Sequence, residues 1–318
     1  MKAAVIYEPG GPKQLVVTQV PTPTVKPGWS LVKIKAFGIN HSEIFTREGA
    51  SPDVKFPRIL GIECVGEIED TSEATRLPVG QKVVSIMGEM GRAFDGGYAE
   101  YALLPNDQIY PVTTELAWSD LAAIPETGYT AFGSMLNLNI QATDRILVRG
   151  GTSGVGLTFM NLVKGQFPDI AIEGTTRQLA KSRELLTAGF TEVVEDQDGI
   201  LQTDTTYDKI FELIGPATLR DTLKHIKERG IVCSTGELGH QWTLDQFDPI
   251  MDLPRNSYLT AFSSGDVTSE KLNDLFAYIQ KYQIRLKPAK IFKLEDIQQA
   301  HLYLESQHSF GKVVIVNA

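Results

Sequence analysis

The stretch Ile146-Leu147-Val148-Arg149-Gly150-Gly151-Thr152-Ser153-Gly154-Val155-Gly156 decides how this chain is read. An apolar strand over 145–149 enters a glycine-rich turn, and an amphipathic helix over 155–167 leaves it. A dinucleotide site needs that order: a tight turn, close backbone approach to a pyrophosphate, and a helix packed near the strand. Amides at the helix N-terminus then face the phosphates, aided by the macrodipole. Read as G-x-G-x-x-G, the turn has Gly151 and Gly156 in place and Ser153 in the middle, where a hydroxyl could itself reach a phosphate oxygen. Gly151, Thr152, Ser153, Gly154, Val155 and Gly156 are therefore the candidate phosphate contacts.

Outward from the turn, strand and helix alternate. Strands are expected at 170–175, 192–195, 209–214 and 231–235, with helices at 178–187 and 217–227. That alternation implies an α/β fold, a doubly wound parallel sheet with helices on both faces. Before it, helices are expected at 119–124 and 129–138. Earlier still, short apolar runs separated by Pro and Gly read as a β-rich domain. The segment 87–97, with Gly88, Gly91, Gly96 and Gly97, reads as a mobile loop. After Phe262 come helices at 269–281 and 295–306 and a last strand at 312–316.

A length of 318 residues suits two domains at about 150 residues each. The formal charge of −9 argues against nucleic-acid binding, which needs a basic footprint. Two cysteines, Cys64 and Cys233, cannot build a disulfide framework or a four-cysteine zinc site. A single Cys64–Cys233 bridge stays open, and a reducing compartment is the simpler reading. No signal peptide or membrane-length apolar run is present, so a cytoplasmic protein with no membrane partner is expected.

The end of the second nucleotide-fold strand separates NAD from NADP. An NAD site places an acid there for the ribose 2′-hydroxyl, whereas an NADP site supplies cations and hydroxyls for a 2′-phosphate. Glu173 stands near the acidic position. The loop tip, however, reads Gly174-Thr175-Thr176-Arg177, with Lys181 one helical turn on. Thr175, Thr176, Arg177 and Lys181 favour NADPH, because an arginine fork grips phosphate bidentately.

Further motifs lie in a characteristic order: Gly38-Ile39-Asn40-His41-Ser42-Glu43, Gly61-Ile62-Glu63-Cys64-Val65-Gly66, Gly96-Gly97-Tyr98-Ala99-Glu100-Tyr101, Thr127-Gly128-Tyr129-Thr130-Ala131-Phe132, and the closing Gly311-Lys312-Val313-Val314-Ile315. With the glycine turn, they resemble the medium-chain dehydrogenase/reductase superfamily, in its zinc-free quinone oxidoreductase branch, over almost the whole chain. The resemblance implies a Rossmann-type domain interrupting a GroES-like β-rich catalytic domain. The divisions would be 1–118 catalytic, 119–265 nucleotide-binding, and 266–318 returning to the catalytic domain. It also implies NADPH as cofactor and a homodimer. Asn40 would sit near the nicotinamide ribose and substrate, and Thr127 and Thr130 on the nicotinamide side. The loop Thr235-Gly236-Glu237 and Phe262, Ser263 and Ser264 would give contacts to the ring half, and Leu213 would pass the adenosine side.

Zinc relatives place Cys where this chain has Asn40 and His where it has Ile62, so two ligand positions are lost. Without a Lewis acid, alcohol oxidation is disfavoured. Hydride transfer to a quinone or related α,β-unsaturated carbonyl is the resulting expectation. Enoyl-thioester reductases of this branch use a Tyr soon after the Asn40 region; none occurs here between Asn40 and Lys82, which favours quinones. An enone or enoyl-thioester reductase, or a NADPH-binding regulatory protein without turnover, remain alternatives. So do plainer roles: Asn40 as a helix cap, and Phe45, Phe56, Phe94 and Tyr129 as core packing rather than pocket walls.

Overall fold

The strand Arg145–Arg149, buried from Ile146 on, stands inside a seven-stranded sheet. In this computed structural model, which describes residues 1–317, the chain divides into two units. One unit comprises Gly128–Ser264 and Asn273–Arg285. Its sheet runs, edge to edge, Ile200–Leu201, Glu192–Gln197, Ala171–Thr176, Arg145–Arg149, Tyr207–Glu212, Ile226–Ser234 and Tyr258–Ala261. All neighbours are parallel except the terminal pair at Ile200–Leu201. The six parallel strands, numbered along the chain, lie in the order 3-2-1-4-5-6, the Rossmann-type doubly wound arrangement. Strand order reverses beside Arg145–Arg149, which places the glycine turn and the loop after Tyr207–Glu212 at the switch point.

Several elements differ from their sequence reading. The expected helix at 178–187 is a single 3-10 turn, Leu179–Lys181, followed by a short helix, Ser182–Ala188. The one at 217–227 stops at Thr222, and its end belongs to the strand Ile226–Ser234. The edge strand Tyr258–Ala261 went unread.

The other unit comprises Met1–Thr127, Gly265–Leu272 and the segment from Leu286 on. Its long strand Trp29–Ile39 pairs along one side with Glu63–Thr71. Its other side is shared by Tyr101–Pro105 near one end and Val313–Val316 near the other. The register sets Val313 opposite Ile39. The residues just beyond, Lys312 and Asn40, are thereby brought side by side. A separate three-stranded sheet joins Lys2–Ile6, Val16–Gln19 and Arg58–Ile59.

The unit boundaries also move from those expected. The short helix Trp118–Leu121 packs on the strands Trp29–Ile39 and Val313–Val316, so the division falls after Thr127 and not near 118. The helix Ser269–Lys281 does not return whole with the C-terminal segment. From Asn273 it belongs with the nucleotide fold, where Tyr278 donates to the Leu162 carbonyl (3.0 Å) and its ring meets Phe132 at 5.1 Å. Residues 87–97 are a loop, but a tethered one: Met90 is buried, Gly96 N–H donates to Ile59 O (2.8 Å), and Gly97 N–H to Gly61 O (3.0 Å). Among the described residues no helix is long and apolar enough to cross a membrane.

Arg149 ends its strand fully buried among acids. It grips Asp196 with Nε (2.8 Å) and Nη2 (3.2 Å), and through Nη1 it reaches Asp221 (3.1 Å) and the Thr222 hydroxyl (2.7 Å). Removing one partner of such a cluster strands the others in low dielectric. Arg149→Ala is expected to cost about 3–5 kcal/mol in urea-unfolding stability; a loss under about 1 kcal/mol would show the acids to be solvated.

Candidate functional site

Asn40 follows the strand Trp29–Ile39 and occupies the N-cap position of the helix His41–Arg47. Its backbone N–H donates to Glu43 Oε2 (2.9 Å), as in a capping box with Glu43. The side chain has further partners. Lys312 Nζ donates to Asn40 Oδ1 (2.6 Å) and to Glu63 Oε1 (2.5 Å), and Asn40 Nδ2 donates to that same Glu63 oxygen (2.9 Å). A lysine only donates and a carboxylate only accepts. These two neighbours fix which way the Asn40 amide faces. Its second N–H is held loosely, 3.5 Å from Glu43 Oε1. Gly38 makes room for the group: a Cβ there would stand 2.2 Å from Glu63 Oε1 and 2.6 Å from Lys312 Nζ.

Glu63 also accepts the Glu126 N–H (2.9 Å) at the first turn of the helix Pro125–Leu138. Thr127 is the next residue. It is buried, and its hydroxyl has no hydrogen-bond partner. Glu43 accepts the Ile62 N–H (3.1 Å) besides that of Asn40. Burial drives its carboxyl up to about 7, and the Glu63 charge adds to the shift against the opposing Ile62 hydrogen bond.

The far end of the Asn40 helix is braced. Arg47, fully buried, donates to Gly10 O (2.9 Å), to Glu305 Oε1 (2.5 Å) and to His301 Nδ1 (3.0 Å). An arginine cannot accept, so His301 is neutral with its proton on Nε2, facing the Tyr98 hydroxyl at 3.0 Å. Burial, followed by the Arg47 charge, lowers the His301 pKa to about 3.

In the nucleotide fold, Ser153 caps the helix Gly154–Gln166. Its hydroxyl accepts from Gly156 N–H (3.0 Å) and donates to Gly150 O (2.8 Å), so it shapes the turn and is not left for a phosphate. A Cβ on Gly156 would lie 2.5 Å from Gly150 O, which explains why only glycine fits. Thr152, Gly154 and Val155 are half-buried on the turn. The Gly154 and Val155 amides, first in their helix, have no acceptor within it. Thr175 is buried and its hydroxyl accepts the Gly150 N–H (3.0 Å); Thr176 is buried and bonds Gln178 O and N–H (both 3.1 Å). Thr175 thus props the glycine turn, and Thr176 holds the loop that begins at Gln178. Glu173 lies within the strand Ala171–Thr176, buried, and is engaged by Arg145 (2.5 Å) and the Tyr207 hydroxyl (2.7 Å).

Arg177 is exposed just past the strand end, and Lys181 lies near it. Partial burial lowers the Lys181 pKa; the Arg177 charge adds to this, and Glu184 opposes it. Leu213 is buried and its N–H donates to Arg149 O (3.1 Å). The Gly236 loop folds back on it, with Leu238 N–H donating to Leu213 O (3.1 Å). Phe262 packs on the ring of Tyr129 at 5.9 Å, with Ser263 and Ser264 following it out of the sheet. Thr130 is buried, and its carbonyl accepts the Ser134 hydroxyl (2.8 Å). The structure thus gathers Gly151 to Gly156, Thr175, Leu213 and Gly236 around one turn, and joins Asn40 to the Thr127 helix through Glu63.

Sequence reading missed Lys312, Glu43 and Arg149. The one available signal was a charge at the edge of an apolar strand, as Lys312 stands before Val313-Val314-Ile315. A cavity of about 670 Å³ in the first unit, lined by Lys2, Trp118, Ile291 and Phe292 among others, involves none of the expected site residues. Both cysteines are free and buried.

Comparison with known proteins matches residues 26–114 to the alcohol dehydrogenase GroES-like domain and residues 188–315 to a family described as zinc-binding dehydrogenase. A quinone oxidoreductase of Lama guanicoe is 26% identical, covering 99% of this chain and 97% of its own length. The structure of the quinone oxidoreductase from Coxiella burnetii superposes with a TM-score of 0.84 at 24% identity, covering 99% of each chain. A mycobacterial protein complexed with NADPH superposes with a TM-score of 0.83 at 24% identity, again over 99% of each chain.

The Glu43 carboxyl gives the Asn40 cluster a pH signature. Unfolded, it ionises near 4.5; folded, near 7. As pH climbs through that window the unfolded chain releases a proton that the folded chain keeps, so stability falls, and it is level outside the window. The loss amounts to at most about 3 kcal/mol. Subtracting the pH–stability curve of Glu43→Gln from that of the wild type should expose this fall between pH 4.5 and 7; a flat difference curve would contradict it.

Proposed function

The chain belongs to the medium-chain dehydrogenase/reductase superfamily, and from that premise we propose that it is a zinc-independent, NADPH-dependent reductase of quinones or related α,β-unsaturated carbonyls. The observation that carries this reading is the Lys312 ammonium lodged between Asn40 and Glu63. Zinc is held by Cys, His and carboxylate donors. Here the relevant strand ends offer a carboxamide and, at Ile62, an alkyl group, while the neighbouring Glu63 carboxylate already carries an ammonium within 2.5 Å. A dication placed there would face that fixed positive charge. The residues do not fit a zinc ion, and no step is routed through one.

The residues do fit a dinucleotide. The Gly154 and Val155 amides would take the pyrophosphate. Arg177 and Lys181 would take a 2′-phosphate, and a phosphate there would offset the partial burial that lowers the Lys181 pKa. The buried, unpartnered Thr127 hydroxyl is a polar atom for which a ligand group would supply the missing bond. When bound, the reduced nicotinamide supplies a hydride, and with one proton from water this completes a two-electron reduction of the acceptor. Asn40 contributes position: Lys312 and Glu63 hold its amide in one orientation and leave one N–H for an acceptor oxygen. A quinone needs no dedicated acid, because water can protonate its reduced form. By the same resemblance the protein would act as a homodimer.

Two substitutions test these roles. Arg177→Ala should weaken NADPH binding about tenfold and leave NADH binding nearly unchanged, as expected for one charge-assisted contact; equal wild-type affinities for the two would remove the NADPH assignment. Asn40→Ala should lower kcat for p-benzoquinone reduction by about tenfold or more, with a smaller change in the NADPH Kd. Unchanged kcat would remove Asn40 from the reaction.

A further inference from the structure

Arg92 is a guanidinium that no carboxylate answers. Among the described residues the arginines without an ion pair are Arg92, Arg177, Arg183, Arg229, Arg255 and Arg285. All of these are exposed except Arg92, which is half-buried. Its polar side-chain contact is the Ser42 hydroxyl, which accepts from Nη2 at 2.6 Å, and its Nε–H is buried with no acceptor. Taking a charge partly out of water without a counter-charge is unfavourable, so such a group marks a place where a partner arrives.

The surroundings say which partner. Ser42 lies in the first turn of the helix capped by Asn40, two residues further on, so the guanidinium is tethered beside the proposed reaction centre. The loop that carries it is rigid. Gly91 N–H donates to Phe94 O (2.9 Å), and a Cβ on Gly96 would stand 2.2 Å from Gly61 O. Met87, Gly88 and Glu89 are held in succession at φ of 56°, 59° and 68°, a left-handed run that two non-glycine residues enter only under constraint from around them. A cation fixed on a stiff loop is preorganised for recognition, and the guanidinium fork matches a carboxylate.

We propose that Arg92 receives a carboxylate carried by the carbonyl acceptor, so that acidic enones or quinones are the preferred substrates. Turning toward that carboxylate would also give the buried Nε–H the acceptor it lacks, while Ser42 limits how far the guanidinium swings. This inference rests on the reductase reading for its kinetic arm and stands apart from it in its binding arm.

The test compares trans-4-oxopent-2-enoate with its methyl ester, one enone with and without the charge, in NADPH-dependent reduction. The wild type should favour the acid in kcat/KM by about tenfold or more, the size of one charge-assisted pair. In Arg92→Gln that preference should collapse to about one, and Arg92→Lys should keep part of it. Calorimetric titration with benzoate, without turnover, should show about tenfold weaker binding in Arg92→Gln. A wild type that prefers the ester, or an Arg92→Gln enzyme that loses both substrates in equal measure, overturns the proposal. If neither the enones nor p-benzoquinone is reduced, the reductase reading falls, and benzoate binding that is equal in wild type and Arg92→Gln overturns the role of Arg92.

Discussion

The Lys312 ammonium, buried between Asn40 and Glu63, is the contact on which the first unit's site depends. It ties the last strand of the chain to two strands from its first third, and it requires glycine at position 38. Through Glu63 the same charge reaches the start of the helix Pro125–Leu138. A buried ion pair adds little net stability over apolar packing of equal volume. Its consequence is orientation. With an obligate donor on one side and an obligate acceptor on the other, the Asn40 amide has one way to face.

The nucleotide fold uses the same device. Arg149 ends the strand before the glycine turn and is wrapped by Asp196, Asp221 and Thr222. Glu212 nearby accepts the Ile214 (2.7 Å) and Gly215 (3.2 Å) amides, which shapes the loop after its strand. Both loops at the switch point are thus set by buried polar groups behind them. Thr175, expected to touch a ligand there, serves that scaffold through the Gly150 amide, while Arg177 stands exposed just past the strand end.

Much of this was legible because it is local. The strand 145–149 and the helix 269–281 follow from periodicity and end where their residues change, and the turn between strand and helix announces itself in glycine. The Asn40 cluster was not legible, because Lys312 meets Asn40 only through strand register across most of the chain. Glycine also has two meanings. In residues 87–97 it suggested mobility, but Gly91 and Gly96 are there because backbone passes too close to Gly61 for any side chain. Arg92 was invisible for a related reason: what distinguishes it is the absence of a nearby acid, which no sequence pattern records.

The central claim is that an ammonium, an amide and a carboxylate stand where metal chemistry would otherwise be sought. The most direct measurement is oxidation of NADPH by p-benzoquinone in protein dialysed against a chelator and shown by elemental analysis to be free of zinc. The account predicts turnover equal to that of the undialysed protein. Turnover that disappears with the metal and returns when zinc is added back would contradict it.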